Sequence, residues 1–376
     1  MPRVLVVDDV EENVYLLKLI LERHGHKPIV AYSGKEALEI IAREDVDLVL
    51  LDVMMPEVSG MEVAAILKGS EKTRHIPIIF LTARKRDAED VAEGLAAGAD
   101  EYITKPFHET ELIARANSML RMKRLYDEVA SAKNLIEEEL RMAQAVQFSM
   151  LPTKFPYPDK MRFHAHYRAT SAIGGDYYDV LDYGDGKVGM MVADVSGHGP
   201  SAALVVSMVK TIMHSSEGAV KKPKEIVEGL NSQLHKIIQE EQYVTLFFGI
   251  LDLNSGSLSY VRAGHPFPFL ISAGGKSARR LEAEGEFVGF SEDIHIEQEQ
   301  TLMRPGDRLL MYSDGLIEVA DSDGAMFGLK RLQCSLETRS GQPGEELIEG
   351  IMADAGEFNS EEAPWDDVAI LLAEII

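Results

Sequence analysis

The chain reads as a five-stranded parallel, doubly wound α/β sheet, then a long helical linker, then an α+β sandwich. Three observations predict this. Up to about residue 118, short aliphatic runs alternate with amphipathic stretches at helical spacing. From about Glu109 to Met150 there is neither Gly nor Pro, and Leu151-Pro152 ends the stretch. Beyond that, short alternating runs are separated by turn residues, with a few helical stretches between them. The expected domains are residues 1–120, a coiled-coil linker over 121–151, and 152–376.

In the first domain the aliphatic runs are Val4–Val7, Ile29–Tyr32, Val46–Leu51, Ile76–Leu81 and Glu101–Thr104. Helical stretches fall at Glu11–Arg23, Lys35–Arg43, Met61–Lys68 and Ala88–Ala96. Strands alternating with helices imply parallel pairing with both faces covered. Such sheets bind ligands at the carboxyl ends of their strands. Asp8 and Asp9 end the first run, Asp52 the third, Thr82 the fourth and Lys105 the fifth, so one geometric rule brings all five to one edge. Asp8 and Asp9 could cap the first helix, but a cap does not account for Asp52, Thr82 and Lys105 together.

The linker carries an apolar a/d stripe through Met119, Met122, Tyr126, Val129, Lys133, Ile136, Leu140, Ala143, Gln147 and Met150. A second stripe through Leu125, Val129, Ala132, Ile136, Glu139, Ala143, Val146 and Met150 fits nearly as well. Stripes of this length, flanked by charge, suit a parallel two-stranded coiled coil and hence a homodimer. Two near-equivalent stripes suit a helix that changes rotation between states.

In the last domain, strand-like runs are expected at Met161–Tyr167, Lys187–Asp194, Tyr243–Asp252, Ser257–Arg262, Pro268–Ser272, Ile294–Leu302, Arg308–Ser313 and Val368–Glu374. Helices are expected at Ser201–Ser215, Pro223–Glu240, Gly328–Glu337 and Glu345–Glu357. Carboxylates arrive here in glycine-rich loops: IGGDYYD over 173–179, ADVSGHG over 193–199, YSDG over 312–315 and WDD over 365–367. Glycine lets a backbone approach a metal or phosphate closely. Gathered carboxylates repel one another unless a cation joins them. Both ends of the chain therefore point to phosphate chemistry with a divalent metal.

A formal charge of −24 argues against binding nucleic acid by phosphate neutralisation and against an anionic membrane surface. Cys334 is the only cysteine, which excludes an internal disulfide and suits a reducing cytoplasm. No apolar run approaches the length of a membrane span. The first strand begins at Arg3, leaving no room for a signal peptide.

The acid pair after a first strand, the lone Asp52, Thr82, and Lys105-Pro106 resemble the response-regulator receiver family. The resemblance implies that Asp52 accepts a phosphoryl group from a histidine kinase. It implies Mg²⁺ held by Asp9, by Asp8 through water, by Asp52 and by the Met54 carbonyl. Lys105 and the Thr82 hydroxyl would contact phosphoryl oxygens, Tyr102 would be the aromatic switch, and the Lys105-Pro106 bond would be cis.

The later motifs resemble the metal-dependent PPM serine/threonine phosphatases, and more closely their bacterial RsbU/SpoIIE-type branch, whose fold is a β-sandwich flanked by helices. The segment from Ala143 to Pro152 (AQAVQFSMLP) and AGHP over 263–266 also match that branch. The resemblance implies two Mn²⁺ or Mg²⁺ ions. Asp194 would bridge them, the Val195 carbonyl would serve one, and Asp314 and Asp366 would complete the other. Asp176 would act through water, and Asp367 could share the task of Asp366. Arg168 precedes Asp176 at a spacing that leaves the phosphate clamp of the wider family unassigned. The usual substrate of the branch is a phosphorylated anti-sigma-factor antagonist of the STAS type. The competing expectation is a docking scaffold, without turnover, whose partner affinity depends on Asp52 phosphorylation.

Overall fold

The computed structural model describes residues 1–82, 98–170, 173–218, 221–238, 241–274, 277–359 and 365–376. The helix expected at Ala88–Ala96 lies outside the described residues. The chain divides into two compact units, Met1–Glu137 and Glu138–Ile376.

The first unit holds β1 (Arg3–Val7), α1 (Glu11–Arg23), β2 (Lys27–Ala31), α2 (Gly34–Arg43), β3 (Leu48–Asp52), α3 (Gly60–Gly69), β4 (Ile78–Thr82) and β5 (Glu101–Thr104). All pairings are parallel, in the order β2-β1-β3-β4-β5. The order reverses between β1 and β3, so the crevice of this sheet opens at their carboxyl ends. The middle strands are apolar up to their last residue because both faces are covered. β3 is buried along its whole length, whereas the edge strand β2 starts exposed. Ser33 caps α2 by accepting from the Glu36 backbone, and Ser59 and Glu62 form a reciprocal capping box at α3.

Gly60 sits where the chain doubles back on β3. A Cβ there would overlap the Asp52 carbonyl. Gly60→Ala is therefore expected to cost about 2–3 kcal/mol, the range for forced overpacking. Denaturant unfolding of the full chain, followed by a probe in the first unit, checks this.

A single helix, α4, runs from Glu109 to Met150. Its middle exposes Met122, Tyr126, Val129 and Ile136 of the predicted stripes. Gln147, assigned to the same stripe, is instead buried. Its side chain donates to the Gly174 carbonyl (2.6 Å) and accepts from the Gly174 N–H (3.1 Å).

The second unit stacks two antiparallel sheets. One has the order β13-β10-β9-β8-β7, from β7 (Asp176–Gly184), β8 (Lys187–Val195), β9 (Val244–Asp252), β10 (Ser257–Ala263) and β13 (Gln298–Leu302). The other has the order β12-β11-β14-β15-β6, from β6 (Met161–Arg168), β11 (Phe269–Ile271), β12 (Ala278–Arg280), β14 (Arg308–Tyr312) and β15 (Val368–Ile375). Met190, Val192 and Phe247 of the first sheet pack against Leu309, Met311 and Leu371 of the second. The alternate residues Met191, Ala193 and Val195 face outward onto α5 (Pro200–His214) and α6 (Pro223–Leu234). Leu310, Ile370 and Leu372 face α7 (Gly328–Arg339) and α8 (Gly344–Asn359). With both faces of each sheet covered, strands such as β8 read as unbroken apolar runs rather than alternating ones. The expected strand at Ile294–Leu302 contracts to β13, and the expected helix at Pro223–Glu240 is given as Pro223–Leu234.

Candidate functional site

The crevice of the first sheet contains a lysine between two carboxylates. Lys105 Nζ donates to Asp8 Oδ2 (2.6 Å) and Asp52 Oδ1 (2.5 Å). The remaining oxygens are held by the chain itself. Asp8 Oδ1 accepts from the Val10 N–H and from Asn13 Nδ2 (both 3.0 Å), and Asp52 Oδ2 accepts from the Met54 N–H (2.9 Å). Burial pushes the Asp52 carboxyl above its ordinary range; Lys105 opposes this and Asp8 adds to it. Burial lowers the Lys105 ammonium, but its bonds to Asp52 and Asp8 outweigh that and leave it raised.

The α1 helix begins after Val10 with no side-chain cap, so neither Asp8 nor Asp9 is its N-cap residue. Asp9 and Met54 are exposed, and Thr82 and Tyr102 are half-buried at the same sheet end. Thr82 follows Leu81, the register partner of Asp52, and Tyr102 lies opposite Phe80. The Lys105-Pro106 bond is cis. The fold thus joins Asp8, Asp52 and Lys105 directly and sets Asp9, Met54, Thr82 and Tyr102 around them.

The second cluster lies where the two sheets end together. Asp176 opens β7 opposite Asp194, near the end of β8. β14 ends at Tyr312, just before Ser313 and Asp314, and β15 starts just after Asp366 and Asp367, with Tyr312 paired to Ile370. Asp176 is fully buried and accepts from Ser313 Oγ (2.5 Å), while Ser313 Oγ accepts from the Ala369 N–H (2.9 Å). Two loops close on the cluster through glycine. A Cβ on Gly175 would stand 2.6 Å from the Val195 carbonyl, and one on Gly315 would overlap the Asp367 backbone. Gly197 and Gly199 adopt positive φ (89° and 83°) in the loop after Asp194. Asp194 does not cap α5, whose N-cap is Gly199.

Asp367 emerges as the clasp of this site. Its Oδ1 accepts from the Thr170 N–H (2.7 Å), its Oδ2 from the Gly175 N–H (2.8 Å), and its own N–H donates to Asp366 Oδ1 (2.7 Å). Sequence spacing separates it from Gly175 by 192 residues, and the paired Asp-Asp was its only signal. Ser313 and Gln147 went unread as site residues, because each acts through a partner that only the fold supplies. Arg168 ends β6, with its guanidinium over the Trp365 ring (4.7 Å), beside the Asp366–Asp367 corner. His265 is buried with Nδ1 2.8 Å from the Thr245 hydroxyl, and Thr245 pairs with Asp194. Burial lowers the His265 imidazole to about 3. His198 is exposed.

Deeper still lies a network absent from the sequence reading. Buried Asp179 accepts from the Tyr177 hydroxyl and from Lys210 (3.3 Å), and its Oδ2 lies 2.8 Å from His214 Nε2. It fastens the far end of α5 to β7, the strand that carries Asp176.

The electrostatics show what this arrangement favours. Burial first, then Asp314, Asp366 and Asp367, raises the Asp194 carboxyl to about 7. Burial first, then Glu318 and Asp366, raises Asp314 to about 6. Asp176 is raised well above its usual value by burial and by Asp194. Such a crowd of oxygen donors, short of positive charge, is what a hard divalent cation relieves. The Tyr167 hydroxyl, buried beside it and without a hydrogen-bond partner among the described residues, is a further polar atom close to the cluster. Among the described residues no three His, Cys, Asp or Glu side chains converge as a finished metal centre. The chemistry of the donor set nevertheless fits divalent ions, with carbonyl and carboxylate oxygens alone. Among the described residues no helix is long and apolar enough to cross a membrane.

A lysine-bridged aspartate pair at the edge of a parallel sheet and a carboxylate cluster at the end of a two-sheet sandwich mark two candidate sites in one chain. The chain belongs to the family described as Stage II sporulation protein E (SpoIIE), whose family model matches residues 184–376. Residues 4–117 match the response regulator receiver domain. Over 144 residues the chain is 42% identical to the uncharacterized transcriptional regulatory protein YrkP of Bacillus subtilis, covering 38% of this chain and 60% of that one. Over 121 residues it is 44% identical to the transcriptional regulatory protein CpxR of Escherichia coli, covering 32% and 50%. It spans about half the length of the curated relatives it matches. Protein IcfG of Synechocystis is 25% identical over 296 residues, 69% of this chain and 45% of that protein. The SiaA-PP2C domain of Pseudomonas aeruginosa shares the fold, with a TM-score of 0.58 at 20% identity over 65% of this chain and 99% of that domain.

Proposed function

We propose that the chain is a two-component output protein in which phosphorylation of Asp52 controls a metal-dependent protein serine/threonine phosphatase. The observation that carries this reading is the mutually repelling carboxylate cluster at the shared end of two sheets, buried at Asp176 and half-buried at Asp194 and Asp314, in the same chain as a Lys105-bridged aspartate pair.

In the first domain, Asp52 receives the phosphoryl group of a histidine kinase. The P–N bond to the kinase imidazole breaks and a P–O bond to the carboxylate forms. Asp8, Asp9, Asp52 and the Met54 carbonyl would hold Mg²⁺. Lys105 already spans the carboxylates and moves onto the phosphoryl oxygens, the Thr82 hydroxyl bonds another, and Tyr102 changes packing with it. Asp52→Asn should abolish labelling by acetyl phosphate, reducing it at least ~100-fold, because an amide cannot form the acyl phosphate. Intact-mass measurement reads the +80 Da adduct, about one phosphoryl group, and labelling of the variant at the parent rate would contradict the assignment.

In the second domain, Asp194, the Val195 carbonyl, Asp314 and Asp366 would hold two Mn²⁺ or Mg²⁺ ions, with Asp176 acting through water. The ions supply charge neutralisation and an acidified water for in-line attack on the phosphate ester. The chain's own part is to orient the ligands. Ser313 fixes Asp176, Asp367 ties the Thr170 and Gly175 backbones to the Asp366 corner, and the glycines admit the loops. The serine or threonine leaves as the alcohol. The substrate class that fits is a phosphorylated, STAS-type anti-sigma-factor antagonist, the exposed apolar residues of α4 pair two copies into a homodimer, and the setting is the cytoplasm. Hydrolysis of p-nitrophenyl phosphate and of a phosphoserine protein by the full chain tests the reading. Mn²⁺-dependent turnover abolished by chelator is expected, and none with Mn²⁺ present leaves only the non-catalytic docking account.

A further inference from the structure

Within residues 141–150, the end of α4, Gln147 alone is buried, while the apolar Met142, Val146 and Phe148 are exposed. A helix end that hides its amide and shows its apolar neighbours holds that amide for its hydrogen bonds. Gln147 Nε2 donates to the Gly174 carbonyl (2.6 Å), and Gln147 Oε1 accepts from the Gly174 N–H (3.1 Å). The pair is directional, because a reversed amide would set donor against donor and acceptor against acceptor. Gly174 is itself buried, so withdrawing Gln147 would leave both backbone groups unpaired away from solvent.

Gly174 stands in a segment that reaches most of the cation site. The Ile173 carbonyl accepts from the Gly199 N–H (3.2 Å) at the start of α5, and the Gly175 carbonyl accepts from the Val195 N–H (3.1 Å). The Gly175 N–H donates to Asp367 Oδ2 (2.8 Å), and Asp176 accepts from Ser313 Oγ (2.5 Å). Residues 173–176 therefore touch α5, the end of β8, the Asp366–Asp367 corner and the residue before Asp314. The packing around Gly174 is tight, and a Cβ there would overlap Asp367 Oδ2 and Tyr167 Oη. Close-packed surroundings pass a displacement on rather than absorb it.

We propose that Gln147 is a positioning residue for the phosphatase cation site: by holding Gly174 it sets the Val195 carbonyl and Asp176, and it ties the site to the rotation of the last turn of α4. This rests on the phosphatase reading given above. Val146 and Phe148, on either side of Gln147, carry no amide. Turning the helix by one residue, about 100°, takes the amide off Gly174. Polar partners one step removed from a metal ligand typically govern 10–100-fold in affinity or activity.

The test compares the full chain with Gln147→Met and Leu151→Ala. Methionine keeps the reach of the unbranched side chain and removes both hydrogen bonds. Leu151, just past α4, packs on both apolar clusters of the sandwich, so its truncation loosens the same helix end and leaves the amide in place. Mn²⁺ alone is titrated calorimetrically well below each melting temperature, melting is followed in chelator, and p-nitrophenyl phosphate turnover is measured over a range of Mn²⁺. Gln147→Met is expected to bind Mn²⁺ about 10-fold more weakly and to lower kcat by a similar factor at limiting Mn²⁺, with KM nearly unchanged. Leu151→Ala is expected to melt lower and keep the parental Mn²⁺ affinity. Gln147→Asn, whose amide falls one methylene short, is expected to lie between Gln147→Met and the parent, and it carries the test if Gln147→Met does not fold. Parental Mn²⁺ affinity in the Gln147 variants, or equal weakening in Leu151→Ala, would overturn this proposal while the parent still binds Mn²⁺ and turns over. A parent that binds no Mn²⁺ overturns it together with the phosphatase reading, so the two failures are told apart.

Discussion

Asp194→Asn is expected to abolish phosphatase turnover and, in the presence of chelator, to raise the melting temperature of the second unit. The activity loss should be on the order of 10³-fold or more, because charge stabilisation by bound metal contributes several kcal/mol at about 1.4 kcal/mol per factor of ten. The stability gain follows from the same geometry. Asp194 is confronted by Asp314, Asp366 and Asp367 while largely removed from water, which is why its carboxyl rises to about 7. An amide of the same shape carries no charge to bury. A gain of about 1–2 kcal/mol, or a few degrees, is expected at pH 7.5. A residue kept at a cost to the fold is kept for its chemistry. Parallel loss of activity and stability would instead make Asp194 a structural residue, and undiminished Mn²⁺-dependent turnover would remove it from the site.

The second large effect is a pH-dependent stabilisation by cation. Asp194 at about 7 and Asp314 at about 6 lie above the ~3.9 of a free aspartate. Between about pH 4 and 7 these two carboxyls therefore hold more protons in the folded chain than in the unfolded one. The contribution of these carboxyls is complete below about pH 4 and is lost as pH rises through 6 and 7. His265, lowered to about 3, has the opposite sign, and its contribution is lost as pH falls from about 6.5 toward 3. That term is common to both metal conditions, so the difference between Mn²⁺ and chelator isolates the carboxylates. Cation binding must displace the retained protons, so its effect grows with pH. At 100 times its dissociation constant Mn²⁺ stabilises by about 2.7 kcal/mol, or ~5–10 °C in melting for a unit of this size. At pH 5 the shift should fall below about 2 °C. Equal shifts at both pH values would mean that the ion binds elsewhere.

The edge of the first sheet was legible because a parallel strand buried on both faces is a continuous apolar run, and the residue that ends it is conspicuous. Asp8, Asp52 and Lys105 were read that way, and the structure puts them in hydrogen-bonding contact. Asp176, Asp194 and Asp314 were legible for another reason, the glycine-rich loops that carry them and the family resemblance of those motifs. What sequence could not supply is pairing across the sandwich. Ser313 reaches Asp176 over 137 positions, and Asp179 meets Lys210 and His214 only because α5 folds back on β7. The two α4 stripes were visible as periodicity, but period alone does not say which positions a neighbouring domain occupies, and Gln147 turns inward to Gly174.

The most direct test of regulated phosphate removal measures the hydrolysis rate of a phosphoserine substrate by the full chain across a range of Mn²⁺ concentrations, with and without beryllofluoride as a mimic of phosphorylated Asp52. The parent chain should change its rate several-fold with the mimic, chiefly at limiting Mn²⁺, and Asp52→Asn should not respond. Equal rates with and without the mimic at every Mn²⁺ level would contradict control of the second site by the first.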